Sequence, residues 1–135
     1  MTHKLELYRC DICGNLIEVI LPGAGALVCC EEEMELLTPK TQDSGAEKHV
    51  PVIEHKDGEV TIRIGSEPHP MEKEHYIQFV EAIANDNKYL KRKYFEPNEE
   101  PVLKFKCECA SGVSSREFCN VHGLWASSEV SHDGK

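Results

Sequence analysis

The sequence predicts a mainly β protein with a small metal-stapled N-terminal domain and a larger β-sandwich. Four of the seven cysteines lie in the first 36 residues, which hold too few apolar residues for a self-sufficient core. From Glu47 onward, short alternating apolar and polar stretches are separated by turn residues, as in a β-sandwich. We therefore expect domains at 1–36 and 47–135, joined by a polar linker at 37–46.

The clearest strand pattern lies in residues 50–64. Val60, Ile62 and Ile64 alternate with polar residues, and Asp57-Gly58 is a turn pair, so the stretch is expected to form a hairpin. Further strands are expected at 102–105 and within 118–125. The apolar spacing over 76–83 is helical, although a buried strand would fit the same residues.

Composition limits the function classes. The chain of 135 residues carries a net charge of -9, which argues against nucleic acid or an anionic membrane as a partner. It has no apolar run of the ~20 residues that a spanning helix needs and no secretory signal pattern, so a cytoplasmic location is expected. An anionic substrate would need local positive charge to approach such a chain.

The N-terminal cysteines have the spacing of a metal site. Cys10 and Cys13 form a C-x-x-C pair followed by Gly14, and Cys29-Cys30 supplies a second pair. Four thiolates suit tetrahedral zinc or rubredoxin-type iron. Adjacent cysteines point in different directions, so both can bind one ion only if the chain is distorted. A structural zinc knuckle and an iron centre remain equally good interpretations of the spacing.

A second group of metal-binding residue types lies in three segments of the larger domain. These segments contain four histidines and one cysteine: His49, His69, His75, Cys119 and His122. Mixed imidazole and thiolate ligation suits iron, copper or zinc. Five such ligands would leave one position open on an octahedral ion, where a small substrate could bind.

Other polar residues receive simpler interpretations. Cys107 and Cys109 would share one face of a strand and are expected to be ordinary thiols, with a redox pair as the alternative. The remaining histidines, at positions 3, 55 and 132, are expected on the surface, and Trp125 in the core beside the site. The basic run 88–93 is expected to be a solvated hairpin loop.

Five short motifs, in order over nearly the whole chain, resemble desulfoferrodoxin, the two-iron form of superoxide reductase. They are Tyr8-x-Cys10-x-x-Cys13-Gly14-Asn15, Val28-Cys29-Cys30, Glu47-Lys48-His49-Val50-Pro51, His69-Pro70-Met71-x-x-x-His75 and Cys119-Asn120-x-His122-Gly123-x-Trp125. The resemblance implies a desulforedoxin-like N-terminal domain and an immunoglobulin-like β-sandwich, with residues 76–83 as strand. Cys107, Cys109 and the charged stretch 87–100 depart from the family pattern.

The resemblance also implies the ligands and the activity. Iron in the first domain would be held by Cys10, Cys13, Cys29 and Cys30. A second iron would have His49, His69, His75 and His122 as equatorial ligands and Cys119 as the axial ligand. This iron would reduce superoxide by one electron to hydrogen peroxide, with electrons supplied by rubredoxin to a homodimer.

Two residues beside the second site receive catalytic roles from the same resemblance. Lys48 would attract the anion and help to deliver a proton, and Glu47 would occupy the open position in the resting ferric state. Solvated strand-edge residues are the simpler interpretation of both. The competing functions are a non-catalytic iron electron carrier and a binding module with zinc at both sites.

Overall fold

The computed structural model describes residues 1–43, 48–65, 70–127 and 130–134. The chain divides into two compact units, Met1–Thr38 and Pro39–Lys135. None of the described segments forms a helix of the length and apolar character that crossing a membrane requires.

The first unit consists of five very short strands and has almost no core. The strands are β1 (Leu7–Arg9), β2 (Leu16–Glu18), β3 (Val28–Cys29), β4 (Glu32–Glu33) and β5 (Glu35–Leu36), in sheets ordered β2-β1-β5 and β3-β4. Its buried apolar residues, among those described, are Leu7, Cys10 and Val19. So little burial cannot offset the entropy of ordering the chain, which supports the expected metal staple.

The second unit is a sandwich of two antiparallel sheets, as the sequence predicted. The strands are β6 (Pro51–Lys56), β7 (Glu59–Ile64), β8 (Ile77–Ala84), β9 (Tyr89–Tyr94), β10 (Val102–Lys106), β11 (Val113–Cys119) and β12 (Gly123–Ala126). One sheet has the order β10-β7-β6 and the other β12-β11-β8-β9. Val60, Ile62 and Leu103 from the first sheet pack with Val80 and Val113 from the second to form the core.

The expected hairpin over 50–64 is present. Strands β6 and β7 pair from Pro51↔Ile64 to Lys56↔Glu59. Asp57 and Gly58 have φ angles of 53° and 76°, as a two-residue turn of the type I′ class requires.

The stretch with helical spacing is a strand, as the family resemblance implied. Strand β8 lies between β9 and β11, and its residues are buried on both faces. Val80 faces the core between the sheets, whereas Phe79 stacks on Phe118 on the other face with ring centroids 5.9 Å apart. Alternation disappears when both faces exclude water, so the apolar spacing no longer distinguishes a strand from a helix.

One local expectation was wrong and another was confirmed. The basic run 88–93 is not a loop, because Tyr89–Tyr94 forms edge strand β9. Its Arg92 binds the fully buried Glu81 at 2.7 Å, and Arg116 binds the same carboxylate at 2.5 Å. The pairing explains how a charged run can belong to a sheet. The strand expected within residues 118–125 is present as β12, which follows the turn after β11.

Candidate metal centres

The four N-terminal cysteines meet at one point. The sulfur atoms of Cys10, Cys13, Cys29 and Cys30 all lie within 4.8 Å of one another. The Sγ atoms of Cys13 and Cys29 are 3.6 Å apart, and the side-chain amide of Asn15 donates to Cys29 Sγ at 3.7 Å. Four sulfur atoms so arranged form the donor set of a tetrahedral ion.

The backbone shows how each cysteine pair reaches this point. After the first pair, Gly14 takes a φ of 83° and donates its N–H to the carbonyl of Cys10 at 2.9 Å, which closes a tight turn. In the adjacent pair, Cys30 and the following Glu31 have φ angles of 53° and 65°. These left-handed residues are the chain distortion that adjacent ligands require.

The crowded thiols cannot all ionise without a cation. The backbone N–H of Cys13 donates to Cys10 and lowers its thiol pKa to about 7. The pKa of Cys30 is raised to about 12, chiefly by hydrogen bonding with Cys13 and then with Cys10. The thiol of Cys10 therefore ionises readily, whereas the thiol of Cys30 resists ionisation because it shares protons with its neighbours. A bound divalent ion removes this conflict.

A second cluster lies within the sandwich unit. Donor atoms of His49, His75, Cys119 and His122 lie within 4.8 Å of one another. His49 Nε2 is 3.2 Å from His122 Nδ1, and Cys119 Sγ is 4.0 Å from that same atom. Cys119 and His49 are buried, whereas His122 is exposed. The cluster therefore has its thiol on the core side and opens toward solvent.

His49 is held by a carboxylate and an aromatic ring. Asp43 accepts the backbone N–H of His49, and it accepts the N–H of Val50 at 3.2 Å. Its carboxylate also lies 4.0 Å from His49 Nδ1. The indole of Trp125 stacks on the imidazole with centroids 4.5 Å apart and planes 11° from parallel. Trp125 is buried beside the site, as expected.

Asn120 holds the loop that carries His75. Its side-chain oxygen accepts the N–H of Tyr76 at 2.9 Å, and its amide donates to the carbonyl of Glu74 at 3.0 Å. Asn120 also donates its backbone N–H to Tyr76 at 3.2 Å. Because Asn120 directly follows Cys119, these bonds fix the position of His75 relative to the thiol.

Lys40 is a cation that the sequence analysis did not assign to the site. Its Nζ donates to the carbonyl of His122 at 3.1 Å and lies 4.9 Å from the centroid of the Trp125 ring. Lys40 and Asp43 both come from the stretch expected to be a linker. Backbone bonds from Lys40 to Leu124 and from Ala126 to Lys40 attach this stretch to β12. A polar composition fits a free linker and a segment bound along a strand equally well. We call the bound segment, residues 40–43, the strap.

Three further residues were predicted to act at the second site: Glu47, Lys48 and His69. Lys48 is half-buried, and its carbonyl oxygen would lie 2.3 Å from a Cβ at Gly65, which therefore has to remain glycine. Glu47 and His69 lie outside the described residues.

A buried acid lies behind the cluster. Glu117 precedes Cys119 by two residues on β11, is fully buried, and has no hydrogen-bond partner among the described residues. Burial raises its pKa to about 9, with a further contribution from Asp43. Glu117 is thus neutral at physiological pH. In the sequence Glu117 follows Ser114, Ser115 and Arg116, so nothing in this polar stretch indicated that its carboxyl group would be buried.

Both donor sets fit iron. Four sulfurs suit tetrahedral iron or zinc, and a mixed imidazole–thiolate set suits iron, copper or zinc. Each set is assembled by backbone turns and hydrogen bonds within its own unit.

Comparison with known proteins identifies the family. The desulfoferrodoxin family model matches residues 41–128, and the model of the desulfoferrodoxin N-terminal domain matches residues 2–37. A desulfoferrodoxin homolog from Methanothermobacter thermautotrophicus is 47% identical over 125 residues, covering 93% of this chain and 99% of its own. Desulfoferrodoxin from Desulfarculus baarsii is 44% identical over 125 residues, with coverages of 93% and 97%.

A solved structure agrees with these relatives. The superoxide reductase of Treponema pallidum superposes with a TM-score of 0.73 at 28% identity, covering 92% of this chain and 98% of its own. The chain therefore belongs to the desulfoferrodoxin family.

Proposed function

We propose that this protein is a superoxide reductase with two iron ions per chain. The observation that carries the proposal is the solvent-facing histidine and cysteine cluster in a β-sandwich that resembles the superoxide reductase structures. The reaction consumes one superoxide, one electron and two protons and yields one hydrogen peroxide. No second superoxide is oxidised, so no oxygen is released.

The proposal assigns the iron ligands residue by residue. Cys10, Cys13, Cys29 and Cys30 hold the first iron, and their mutual proximity supports this assignment. His49, His75, His122 and Cys119 would hold the second iron, and His69 would complete that set by the family motif.

The ferrous ion that these residues would hold would provide the single electron that superoxide takes up. Cys119 is fully buried, so its thiolate would hold the metal in a low-dielectric environment. Neutral histidines add no charge, so a divalent ion with one thiolate keeps a net positive charge. Lys40 and Lys48 add local positive charge to a chain whose total is -9, which favours approach of an anion. Lys48 and Glu47 retain the roles that the family motif implies.

The first test is elemental analysis followed by reaction with superoxide. We expect two irons per chain in protein from iron-replete cells and ferrous-iron oxidation when superoxide is generated by a radiolytic pulse. Cys13→Ser should lose the first iron and keep the superoxide reaction, whereas Cys119→Ser should lose the sulfur-to-iron absorption and the reaction.

The alternatives give different outcomes in the same experiment. Zinc at both sites, persisting after anaerobic reconstitution with iron, would leave a metal-stapled binding module. Two irons without a reaction with superoxide would leave a non-catalytic electron carrier.

Lys48→Ile tests electrostatic steering. We expect the second-order rate with superoxide to fall severalfold at low salt and its dependence on ionic strength to weaken, because a cation near the anion's path is removed. Lys104→Ile is the control, since Lys104 is exposed on β10. Identical rates and salt slopes for both variants would remove Lys48 from this role.

Asn120→Ala tests the support of His75. Loss of the bonds to Tyr76 and Glu74 should loosen the ligand loop and weaken iron retention by about 10- to 100-fold. Asn120→Asp keeps the acceptor for Tyr76 and should lie between Ala and the wild type. Chelator competition, followed by the sulfur-to-iron absorption, measures the effect. Equal retention in all three proteins would contradict the assignment.

The partners belong to the same proposal. A homodimer and a rubredoxin electron donor are implied by the family resemblance. Apolar side chains exposed on the first unit, among them Ile20, Leu21 and Val28, support a protein contact there. We expect a solution mass of twice 15.2 kDa by light scattering. A mass of one chain at micromolar concentration would exclude a stable dimer.

A further inference from the structure

The two cysteines outside the metal clusters lie together in a loop between the sheets. Cys107 and Cys109 follow β10, which ends at Lys106, so the expectation that they continue a strand was wrong. Their Cα atoms are 5.2 Å apart, which is within the range that a disulfide spans. The two thiols are therefore close enough to form a disulfide, which supports the redox pair that the sequence left as the alternative to two ordinary thiols.

The pair is separate from the proposed catalytic iron. Strand β11 begins at Val113, just after the loop, and ends at Cys119. At ~3.3 Å per residue, β11 spans about 20 Å from Val113, its end next to the loop, to Cys119. Neither cysteine belongs to the donor clusters found among the described residues.

A cavity of about 390 Å³ adjoins the pair. Its lining includes both cysteines together with His55, His132 and Asp133. His55 was expected on the surface, but it lies on the inward face of β6 and is only 2% exposed. Among the described residues, neither of its ring nitrogens has a hydrogen-bond partner, and Nε2 lies 4.0 Å from the Asp133 carboxylate. A buried imidazole without a partner indicates a polar occupant.

The C-terminal segment, residues 130–134, contributes to the wall of this cavity. Ser131 exchanges two backbone hydrogen bonds with Val113, at 2.8 and 2.7 Å. Gly134 donates to the carbonyl of His55 at 2.7 Å, and Asp133 accepts the N–H of Gly58 at 2.9 Å. At Gly112, a Cβ would lie 2.5 Å from Val130, so the segment packs closely on the loop.

We propose that Cys107 and Cys109 form a dithiol–disulfide couple that reduces hydrogen peroxide. The couple rests on the proposed function only for its supply of peroxide, which superoxide reduction would generate in the same chain. A thiolate attacks one peroxide oxygen, which breaks the O–O bond and yields a sulfenic acid and water. The second thiol displaces a second water as the disulfide forms. Two electrons pass from two sulfurs to one peroxide, and an external dithiol restores the pair.

The environment assigns different roles to the two sulfurs. Cys107 is half-buried and borders a second cavity of about 470 Å³, whereas Cys109 is only 5% exposed within the core. Cys107 is therefore the attacking thiol and Cys109 the resolving one. His55 is the buried base beside them, suited to accept the thiol proton and held opposite Asp133.

The test uses the full iron-loaded chain with added hydrogen peroxide and no superoxide. The protein is reduced with a phosphine, freed of excess reductant without air, and treated with one equivalent of peroxide. Samples are then quenched by alkylation and digested with trypsin. The peptide 107–116 contains Cys107 and Cys109 and no other cysteine. We expect its disulfide form to appear at least about tenfold faster than oxidised glutathione forms in a matched solution.

Variants locate the chemistry. Cys109→Ser should accumulate a sulfenic acid on Cys107 that a cyclic dione traps, and Cys107→Ser should give much less on Cys109. His55→Gln should slow disulfide formation by about tenfold, while His132→Gln, an exposed residue of the same cavity, should stay within about twofold. The cysteine readout does not depend on the His55 variant folding normally.

Two results would overturn the proposal. One is a peptide 107–116 that stays a dithiol or oxidises no faster than glutathione. The other is the loss of one additional metal ion per chain in Cys107→Ser/Cys109→Ser, which would make the pair a metal ligand. That double variant should keep the wild-type rate with superoxide. A wild-type protein inert to superoxide would sink the proposed function, whereas the response of the peptide to added peroxide would still decide this couple.

Discussion

Crowding of metal-binding donor atoms is the constraint on which both units depend. Four sulfurs lie within 4.8 Å of one another in the first unit. In the second unit, three imidazole nitrogens and one sulfur are equally close. Ionised thiolates at such distances repel one another, and thiols that share protons have pKa values pushed apart. A cation relieves that conflict, and in the first unit it also substitutes for a core with very few buried residues.

The second unit keeps its donors in place through groups that do not bind metal themselves. Asn120 binds the loop before β8, Asp43 holds the backbone at His49, and Trp125 stacks on that imidazole. These contacts arise from a loop, a strap and a strand that are distant in sequence. The sandwich brings them to one end, where outer contacts of this kind orient the ligands.

Two carboxyl groups, those of Glu81 and Glu117, are buried in the sheet β12-β11-β8-β9, and each avoids an unpaired negative charge in a different way. Glu81 is fully buried and paired with two arginines, so its charge is neutralised by ion pairs. Glu117 is equally buried, and its raised pKa of about 9 keeps it neutral instead. A neutral acid behind Cys119 adds no negative charge to a site proposed to receive an anion. Lys40 contributes positive charge on the solvent side of the same site.

The family and the β class could be predicted from the sequence, and candidate donor residues could be named, because ligand motifs are short and local. It did not determine which neighbours support them. Lys40 and Asp43 looked like linker residues, His55 like a surface residue, and Cys107 and Cys109 like ordinary thiols on one face of a strand. The basic strand β9 looked like a loop because its partner, Glu81, lies on another strand. Only tertiary structure decided these cases, since burial and pairing across a sandwich depend on residues far apart in the chain.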